Sequence, residues 1–256
     1  MKPRLLLIRG MMNDARVWAP VLAQLGDAAE PVVAEHGDAQ TIAEMADAAW
    51  ARVAGMAPAQ PLVIAGFSMG GYVALAMLGA PRRPVAALAL LSTSARPESP
   101  EGAALREKTI AAIDRDFAKV VDGVLAFGTH ARFRGDAAAL AAARQMMLDT
   151  GADAAARHNR AVMQRMDARE LARSLRLPVL VMTGDDDRIT PPPLADELAA
   201  LIPGARRVAV AECGHLLPLE QPARVADALR ALIAGAAGAA GAASATAPSP
   251  THTTAR

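Results

Sequence analysis

Residues 62–71 of the chain read LVIAGFSMGG. The apolar run at 62–65 predicts a strand buried on both faces, and the segment 72–78 predicts the helix that follows it. Between them, Gly66-Phe67-Ser68-Met69-Gly70 matches the pattern G-x-S-x-G, in which a sharp strand-to-helix turn holds a serine above the sheet. The flanking glycines avoid clashes that Cβ atoms would cause there. The stretch therefore predicts an α/β protein with Ser68 as a nucleophile, although a glycine-rich turn whose serine only caps the helix is the alternative.

Short apolar runs recur on both sides of this stretch. They predict strands at 5–8, 31–34, 62–65, 85–91, 177–183 and 206–211. Apolar residues at helical spacing predict helices at 15–25, 41–56, 191–201 and 222–234. This alternation of strands and helices favours a mostly parallel central sheet with right-handed crossovers and helices on both faces.

The pattern changes between residues 96 and 175, where helical segments bounded by glycines follow one another without a strand-like run. We interpret 1–95 and 176–234 as one α/β core, and 96–175 as an inserted helical subdomain. Residues 235–256 form a Gly-Ala-Ala repeat that runs into Ser, Thr and Pro, with no bulky apolar side chain. Such a segment buries too little apolar surface to offset its conformational entropy, so we expect it to be disordered.

A serine hydroxyl becomes a good nucleophile only when a nearby base accepts its proton. Of the five histidines, His215 alone follows a predicted core strand and a glycine, so its loop can reach over the carboxyl ends of the strands. The others lie in a polar turn, in the inserted segment or in the tail: His36, His130, His158 and His252. We predict His215 as the general base, with a structural histidine at a strand end as the alternative.

The base needs a carboxylate that orients its ring and stabilises its charged form. Three candidates, Asp185, Asp186 and Asp187, follow the predicted strand 177–183, and spacing alone does not choose among them. Their position between Ser68 and His215 gives the chain order Ser, Asp, His that is typical of this kind of turn. Capping and loop solvation are the common roles of turn aspartates and the alternative for those not used.

Acyl transfer also needs backbone N–H groups aimed at the negative oxygen of the tetrahedral intermediate. The amide of Met69, directly after the serine, is one predicted donor. The second is expected in the loop after the first strand, where Gly10 permits a close approach of the backbone, and we assign it to the amide of Met11. Packing of both methionine side chains in the core is compatible with these roles, because the donors are main-chain groups.

Composition limits the classes of partner. Twenty-seven basic and 26 acidic residues leave a formal net charge of +1 with interspersed signs, so we expect neither nucleic acid nor a membrane surface as a partner. The single cysteine, Cys213, excludes an intrachain disulfide and a multi-cysteine metal site, and the predicted chemistry needs neither metal nor cofactor. The apolar run at 5–8 is too short for a signal peptide or a membrane span, so we predict a cytoplasmic protein. The sequence does not distinguish a monomer from a homodimer.

Taken together, the motifs resemble the α/β-hydrolase superfamily from Leu5 to about Ala234, and in particular small bacterial hydrolases and carboxylesterases related to the 3-oxoadipate enol-lactonases. In that family the acid usually stands in Gly-x-x-Asp followed by Pro, which places the role on Asp187. The resemblance also implies that the inserted helices form a cap that covers the active site and shapes the substrate pocket.

One further motif supports the resemblance, and one position departs from it. The family's Gly-His motif with a later Glu-x-Pro is met by Gly214, His215, Glu220 and Pro222. The family commonly has histidine before the glycine of the oxyanion loop, whereas this chain has Arg9. That departure leaves the backbone donor in place and changes the hydrogen bonding around the loop.

The residues and the resemblance predict a serine hydrolase that cleaves a carboxylic ester or lactone through an acyl-enzyme on Ser68, with a small molecule as its substrate. Perhydrolysis, as in cofactor-free haloperoxidases, and carbon–carbon bond hydrolysis use the same three residues and stay open as alternatives. A ligand-binding member of the fold without turnover is the alternative of another class. Loss of a triad residue would be its signature, and all three residues are present.

Substrate identity depends on the inserted segment, whose contacts the sequence does not give. The candidates for lining an apolar acyl pocket are Phe127, His130, Phe133, Met146, Met147, Met163 and Met166, although such residues more often pack a cap onto a core. Arg132 and Arg134 are candidates for binding a substrate carboxylate, although solvated surface arginines are more common.

Overall fold

The computed structural model describes residues 1–245. Within that range the chain forms one sheet of six strands, the number that the sequence predicts. The strands are β1 (Arg4–Ile8), β2 (Glu30–Ala34), β3 (Leu62–Phe67), β4 (Ala87–Leu91), β5 (Val179–Gly184) and β6 (Arg206–Val210). All neighbouring strands are parallel, in the order β2-β1-β3-β4-β5-β6.

Helices occupy the connections between the strands. In chain order they are α1 (Ala19–Leu25), α2 (Ile42–Ala51), α3 (Met69–Gly79), α4 (Pro100–Gly128), α5 (Ala131–Arg134), α6 (Ala137–Thr150), α7 (Ala152–Met163), α8 (Arg169–Ser174), α9 (Pro192–Leu201), α10 (Leu217–Glu220) and α11 (Pro222–Ala245). The predicted helix 15–25 has two parts, because a 3₁₀ turn capped by Asp14 precedes α1. Helix α3 begins directly after Ser68, three residues earlier than the predicted segment 72–78.

The sheet is buried on both faces, which explains the uninterrupted apolar sequences of its central strands. Leu5 and Leu7 of β1 pack on one face, together with α1 and α11. Leu6 and Ile8 pack on the opposite face, together with α2, α3 and α9. Because successive side chains of a strand point to opposite faces, each central strand needs apolar residues at every position. The result is the predicted arrangement of three layers.

The strand order fixes where a site can form. From β1 the chain extends to β2 on one side and to β3 on the other, so the order of the strands reverses between β1 and β3. In open parallel sheets, the crevice at the carboxyl ends of the strands beside such a reversal is the usual place for a ligand. Ile8, the last residue of β1, is in register with Gly66, two residues before Ser68. The candidate nucleophile therefore lies at this crevice.

The connection between β4 and β5 consists of the helices α4 to α8, here called the inserted helices. They fall within the predicted segment 96–175. Helix α4 is bent at Asp116, whose backbone leaves the helical region. Ile113, Val121 and Met146 from these helices belong to the same apolar cluster as the Leu5 face of the sheet. The inserted helices are therefore packed onto the core through a shared hydrophobic cluster.

The last helix extends further than the sequence analysis expects. Helix α11 continues to Ala245, so the predicted end at 234 and the predicted disorder from 235 to 245 are wrong. Alanine has the highest helix propensity, which offsets the cost of about 1 kcal/mol for each glycine in this segment, and Ala236 is still buried in the core. Residues 246–256 of the predicted tail lie outside the described residues. Neither α11 nor any other helix in residues 1–245 is long and apolar enough to cross a membrane.

Candidate active site

Ser68 occupies the turn that joins β3 to α3. Its backbone has φ 54° and ψ −118°, a conformation that L-residues rarely adopt and that costs about 1–3 kcal/mol. Two hydrogen bonds hold the turn to the end of β4: the Ser68 amide donates to the Leu91 carbonyl at 2.8 Å, and the Thr93 hydroxyl donates to the Ser68 carbonyl at 2.9 Å. The serine is therefore fixed above the sheet in a strained turn, as the sequence pattern predicts.

The glycines of the pattern are required by close packing. A Cβ atom on Gly66 would lie 2.3 Å from the Gly70 carbonyl oxygen, and one on Gly70 would lie 2.3 Å from the Ile8 carbonyl oxygen. These contacts are with backbone atoms, which cannot move away without distorting β1 and β3. The turn can therefore form only if both positions are glycine.

His215 lies in the loop between β6 and α10, and its ring reaches the serine. Its Nε2 is 2.9 Å from the Ser68 Oγ. The ring is buried, with its centroid 5.5 Å from that of Phe67. The backbone amide of His215 donates to the Gly128 carbonyl at 2.6 Å, which ties the loop to the end of α4.

Asp187 is the acid that contacts this histidine. Its Oδ2 and Oδ1 lie 2.9 and 3.0 Å from the His215 Nδ1. The other two aspartates are used elsewhere: Asp185 accepts from the Cys213 amide, and Asp186 pairs with Arg188. The structure thus brings Ser68, His215 and Asp187 together in one hydrogen-bonded chain.

Thr190 completes the surroundings of the acid, and sequence reasoning gave it no role. Its backbone amide donates to the Asp187 Oδ1 and its hydroxyl donates to Oδ2, both at 2.8 Å. Burial alone would raise the pKa of Asp187, but His215 and the Thr190 donors outweigh it and hold that pKa below its usual value. The carboxylate is therefore ionised at neutral pH. The sequence signal for this role was a threonine three residues after a turn aspartate, because the hydroxyl and amide of such a residue often donate hydrogen bonds to the aspartate.

Glu220 holds the histidine loop. This buried carboxylate accepts hydrogen bonds from the backbone amides of Gly214, His130 and Leu216 at 2.8–2.9 Å. Burial raises its pKa, and the three donors and the nearby His215 oppose that rise. Glu220 therefore links the residues on either side of His215 to the start of α5, which accounts for its place in the sequence motif.

The two predicted oxyanion donors lie beside the serine. Met11 and Met69 both line the cavity that contains Ser68 and His215. Among the hydrogen bonds found in residues 1–245, none has the main-chain amide of Met11 or Met69 as its donor. Their role as oxyanion donors stays a prediction.

Arg9 organises the loop that carries Met11. Its guanidinium donates to the Asn13 carbonyl and to Glu35, and its own carbonyl lies 3.1 Å from the His36 Nε2. Burial lowers the pKa of Arg9, although Glu35 opposes this effect. The side chain of Arg9 therefore crosses the inside of this loop and links its start to Asn13.

Two buried histidines join this loop to the inserted helices. The rings of His36 and His158, the latter on α7, meet edge to face with centroids 5.8 Å apart. Burial is the main cause that lowers the pKa of each to about 3, and the nearby Arg9 adds to it. Both rings are therefore neutral in the folded protein at neutral and mildly acidic pH.

We expect this pair to make the protein less stable in mild acid. Between pH 6.5 and about 3 the unfolded chain binds protons at these histidines and the folded chain does not, so stability falls as the pH decreases. From pH 6.5 to pH 5 the loss is up to about 2 kcal/mol for each histidine. Urea unfolding at both pH values measures it, and His158→Leu should roughly halve the decrease. An equal decrease in the variant would show that other groups cause it.

A cavity of about 800 Å³ opens at the serine. Ser68, His215 and the two methionines line it from the core, and residues of α4, α6 and α7 line it from the inserted helices. Of the apolar candidates from the sequence, Phe127 and Met147 line this cavity. Phe133 and Met146 are buried in the core instead, and Met166 lies in a separate groove beside α2 and α3.

The two arginines suggested for a substrate carboxylate lie elsewhere. Arg132 is exposed and pairs with Glu212, and Arg134 donates to the Thr129 carbonyl. Neither residue lines the cavity. Cys213 is buried, and burial raises the pKa of its thiol, so it is not a nucleophile at neutral pH.

Sequence comparison identifies one family. A family described as "Alpha/beta hydrolase family" matches residues 5–228. A pimeloyl-[acyl-carrier protein] methyl ester esterase from Neisseria meningitidis serogroup B is 30% identical over 195 residues, which make up 70% of this chain and 72% of the esterase.

Solved structures with the same architecture include two from bacteria. A thermophilic esterase from Thermogutta terrifontis superposes with a TM-score of 0.82 at 27% identity, covering 91% of this chain and 90% of the esterase. The enol-lactonase from Burkholderia xenovorans LB400 has a TM-score of 0.78 at 24% identity, covering 93% of this chain and 92% of the lactonase. At that identity the lactonase supports the fold alone.

Proposed function

The chain belongs to the alpha/beta hydrolase family, and from that premise we propose that it hydrolyses a carboxylic ester or lactone through an acyl-enzyme on Ser68. The observation that carries the proposal is the hydrogen-bonded chain from Ser68 through His215 to Asp187, which ends in a cavity large enough for a small molecule. The relatives named as esterases support an ester as the substrate.

In the first half of the proposed reaction, the Ser68 Oγ attacks the ester carbonyl carbon and its proton passes to the His215 Nε2. The 2.9 Å separation of these atoms is suited to that transfer. Asp187 accepts a hydrogen bond from Nδ1–H, so it selects the tautomer with a free Nε2 and stabilises the imidazolium that forms. Collapse of the tetrahedral intermediate breaks the bond to the alcohol oxygen, which takes the proton from His215. In a lactone that oxygen stays attached to the acyl chain.

In the second half, water replaces the alcohol. His215 removes a proton from the water as it attacks the acyl carbon, and then returns a proton to the Ser68 Oγ as the acid leaves. In both halves the negative oxygen of the intermediate needs main-chain N–H donors beside Ser68. We assign this role to the amides of Met11 and Met69, which belong to residues that line the cavity. Each such donor typically lowers the barrier by about 3 kcal/mol.

The inserted helices act as a cap in this proposal. Residues of α4, α6 and α7 form the side of the cavity opposite the sheet, so an acyl chain that reaches Ser68 would lie between them and the core. Because that side is mostly apolar, it favours substrates with a hydrocarbon portion.

The direct test of the function is a substrate panel. We expect the wild type to hydrolyse p-nitrophenyl esters of graded acyl length or simple lactones. Lactone hydrolysis is monitored through the protons that it releases. The same assay with hydrogen peroxide and bromide measures perhydrolysis. Peroxide-dependent bromination that exceeds hydrolysis would replace the proposal with a perhydrolase, and no turnover of any substrate would indicate a non-catalytic member of the family.

A further inference from the structure

The cavity wall carries an excess of positive charge. Among the residues that line it, five are basic and one is acidic: Arg96, Arg106, Lys108, Arg165, Arg188 and Glu98. Two of the arginines are paired with acids outside the cavity, since Arg96 contacts Glu197 and Arg188 contacts Asp186. The other three basic residues, Arg106, Lys108 and Arg165, lie on or beside the inserted helices, where Glu98 is the one acidic residue of the lining.

Glu98 is shared by two guanidinium groups. It accepts from the Arg165 Nη1 at 2.8 Å and from the Arg106 Nε. Burial alone would raise the pKa of Glu98, but the hydrogen bonds from both arginines outweigh it and hold that pKa below its usual value. One ionised carboxylate therefore offsets only one of two neighbouring positive charges.

Arg165 has a structural role in this cluster. Its side chain is 8% exposed, and besides Glu98 it donates to the carbonyl groups of Arg96, Pro97 and Val162. Its guanidinium also lies 4.6 Å from the centre of the Tyr72 ring. All its nitrogens are thus engaged within the protein, and little of the group is left for a ligand.

Arg106 is more exposed than Arg165 and makes fewer hydrogen bonds within the protein. Its side chain is 25% exposed, and it lines the cavity. The Nε binds Glu98, and the Nη1 donates to the Asn159 Oδ1 at 3.1 Å; Asn159 is itself buried and held by the Ala155 carbonyl. Among the hydrogen bonds found in residues 1–245, none uses the Arg106 Nη2. The group is therefore held in place with one donor nitrogen unused.

We propose that Arg106 binds a carboxylate at the end of the acyl chain, so that half-esters of dicarboxylic acids are preferred substrates. This inference rests on the proposed ester hydrolysis at Ser68. The cavity joins an apolar wall to one uncompensated guanidinium, which matches a hydrocarbon chain with a single terminal charge. Lys108 adds a second positive charge to the lining, but this residue is exposed, whereas the Arg106 guanidinium is held in place by two hydrogen bonds.

Two esters with the same six-carbon acyl chain test the proposal. Mono-p-nitrophenyl adipate has a terminal carboxylate and p-nitrophenyl hexanoate does not. The measured quantity is the ratio of their kcat/KM values, in which general losses of catalysis or folding cancel. We expect the wild type to prefer the adipate, and Arg106→Gln to reduce the ratio by about tenfold or more, the contribution of a charge-assisted hydrogen bond. Arg106→Lys should retain part of the preference, because it keeps the charge.

The matched control is Arg115→Gln, which removes a positive charge from the same helix outside the cavity lining. The ratio in this variant should equal that of the wild type. An unchanged ratio in Arg106→Gln, or an equal decrease in Arg115→Gln, would overturn the proposal. A decrease in Lys108→Gln instead would overturn the assignment to Arg106.

A binding experiment separates failure of this inference from failure of the proposed function. Calorimetric titration of monomethyl adipate into Ser68→Ala protein needs no turnover. Binding that weakens about tenfold when Arg106→Gln is added supports the carboxylate site even if neither ester is hydrolysed. Equal affinity with and without Arg106→Gln overturns it even if both esters are hydrolysed.

Discussion

Ser68→Ala is expected to lower kcat for ester hydrolysis by about 10⁵-fold or more while the protein stays folded. The reason is that Ser68 Oγ is the one hydroxyl that contacts His215 Nε2, at 2.9 Å, among the hydrogen bonds found in residues 1–245. Without it no acyl-enzyme forms, and the remaining rate comes from binding and the oxyanion donors alone. Initial rates with a p-nitrophenyl ester, corrected for the uncatalysed reaction, measure the effect.

The control for this variant is Ser94→Ala. Ser94 lines the same cavity beyond the end of β4, so its loss changes the polarity of the wall without touching the reacting atoms. We expect kcat in Ser94→Ala to stay within about threefold of the wild-type value. Full activity in Ser68→Ala, or a comparable loss in both variants, would show that Ser68 is not the nucleophile.

Asp187→Asn is expected to lower kcat by about 10⁴-fold with little change in KM. The amide fills nearly the same volume, but its NH₂ group can donate to Nδ1, which favours the tautomer that carries its proton on Nε2. His215 then cannot accept the proton of Ser68. The loss should persist across the neutral range, because the pKa of Asp187 lies below its usual value and the carboxylate is ionised there. Rates from pH 6 to pH 9 check this.

Asp186→Asn is the matched control, since it changes the adjacent aspartate, which pairs with Arg188 at the surface. Its kcat should stay close to that of the wild type, because exposed ion pairs contribute little. Similar losses at both positions would indicate a general effect on the loop after β5. A loss at Asp186 alone would move the role of the acid to that residue.

The fold class could be predicted because the apolar runs report burial on both faces of a parallel sheet. The alternation of strands and helices gave the correct strand count within residues 1–245, and the predicted fold class is confirmed by the family match. Helix ends were less predictable. The start of α3 directly at Met69 depends on the strained turn at Ser68, and the extension of α11 beyond residue 234 is favoured by the alanine content of that segment.

The three residues of the candidate site could be found because each stands next to a strand and belongs to a recognisable motif. Spacing left three aspartates open, the family resemblance favoured Asp187, and the contact with His215 separates Asp187 from its neighbours. Thr190 was given no role, and the hydrogen-bond partners of Arg9 were not predicted, because these contacts cross loops that no periodic pattern reports.

The substrate pocket was the least predictable part. Arg132 and Arg134 were the candidates for binding a substrate carboxylate, yet neither lines the cavity. Arg106, one of the arginines that line it, comes from the long helix α4, and its surroundings are set by Glu98 before that helix and Asn159 on α7. Contacts between residues far apart in the sequence determine this arrangement. No spacing of residues along the chain predicts such contacts.

The most direct test of the account is covalent labelling of the wild type with a fluorophosphonate, followed by intact mass and peptide mapping. The reagent reacts with a serine hydroxyl that a neighbouring base activates and leaves a stable adduct. The account predicts one adduct on Ser68 in the wild type, much slower labelling of Asp187→Asn, and no labelling of Ser68→Ala. An adduct on another residue, or equal labelling of Ser68→Ala, would contradict it.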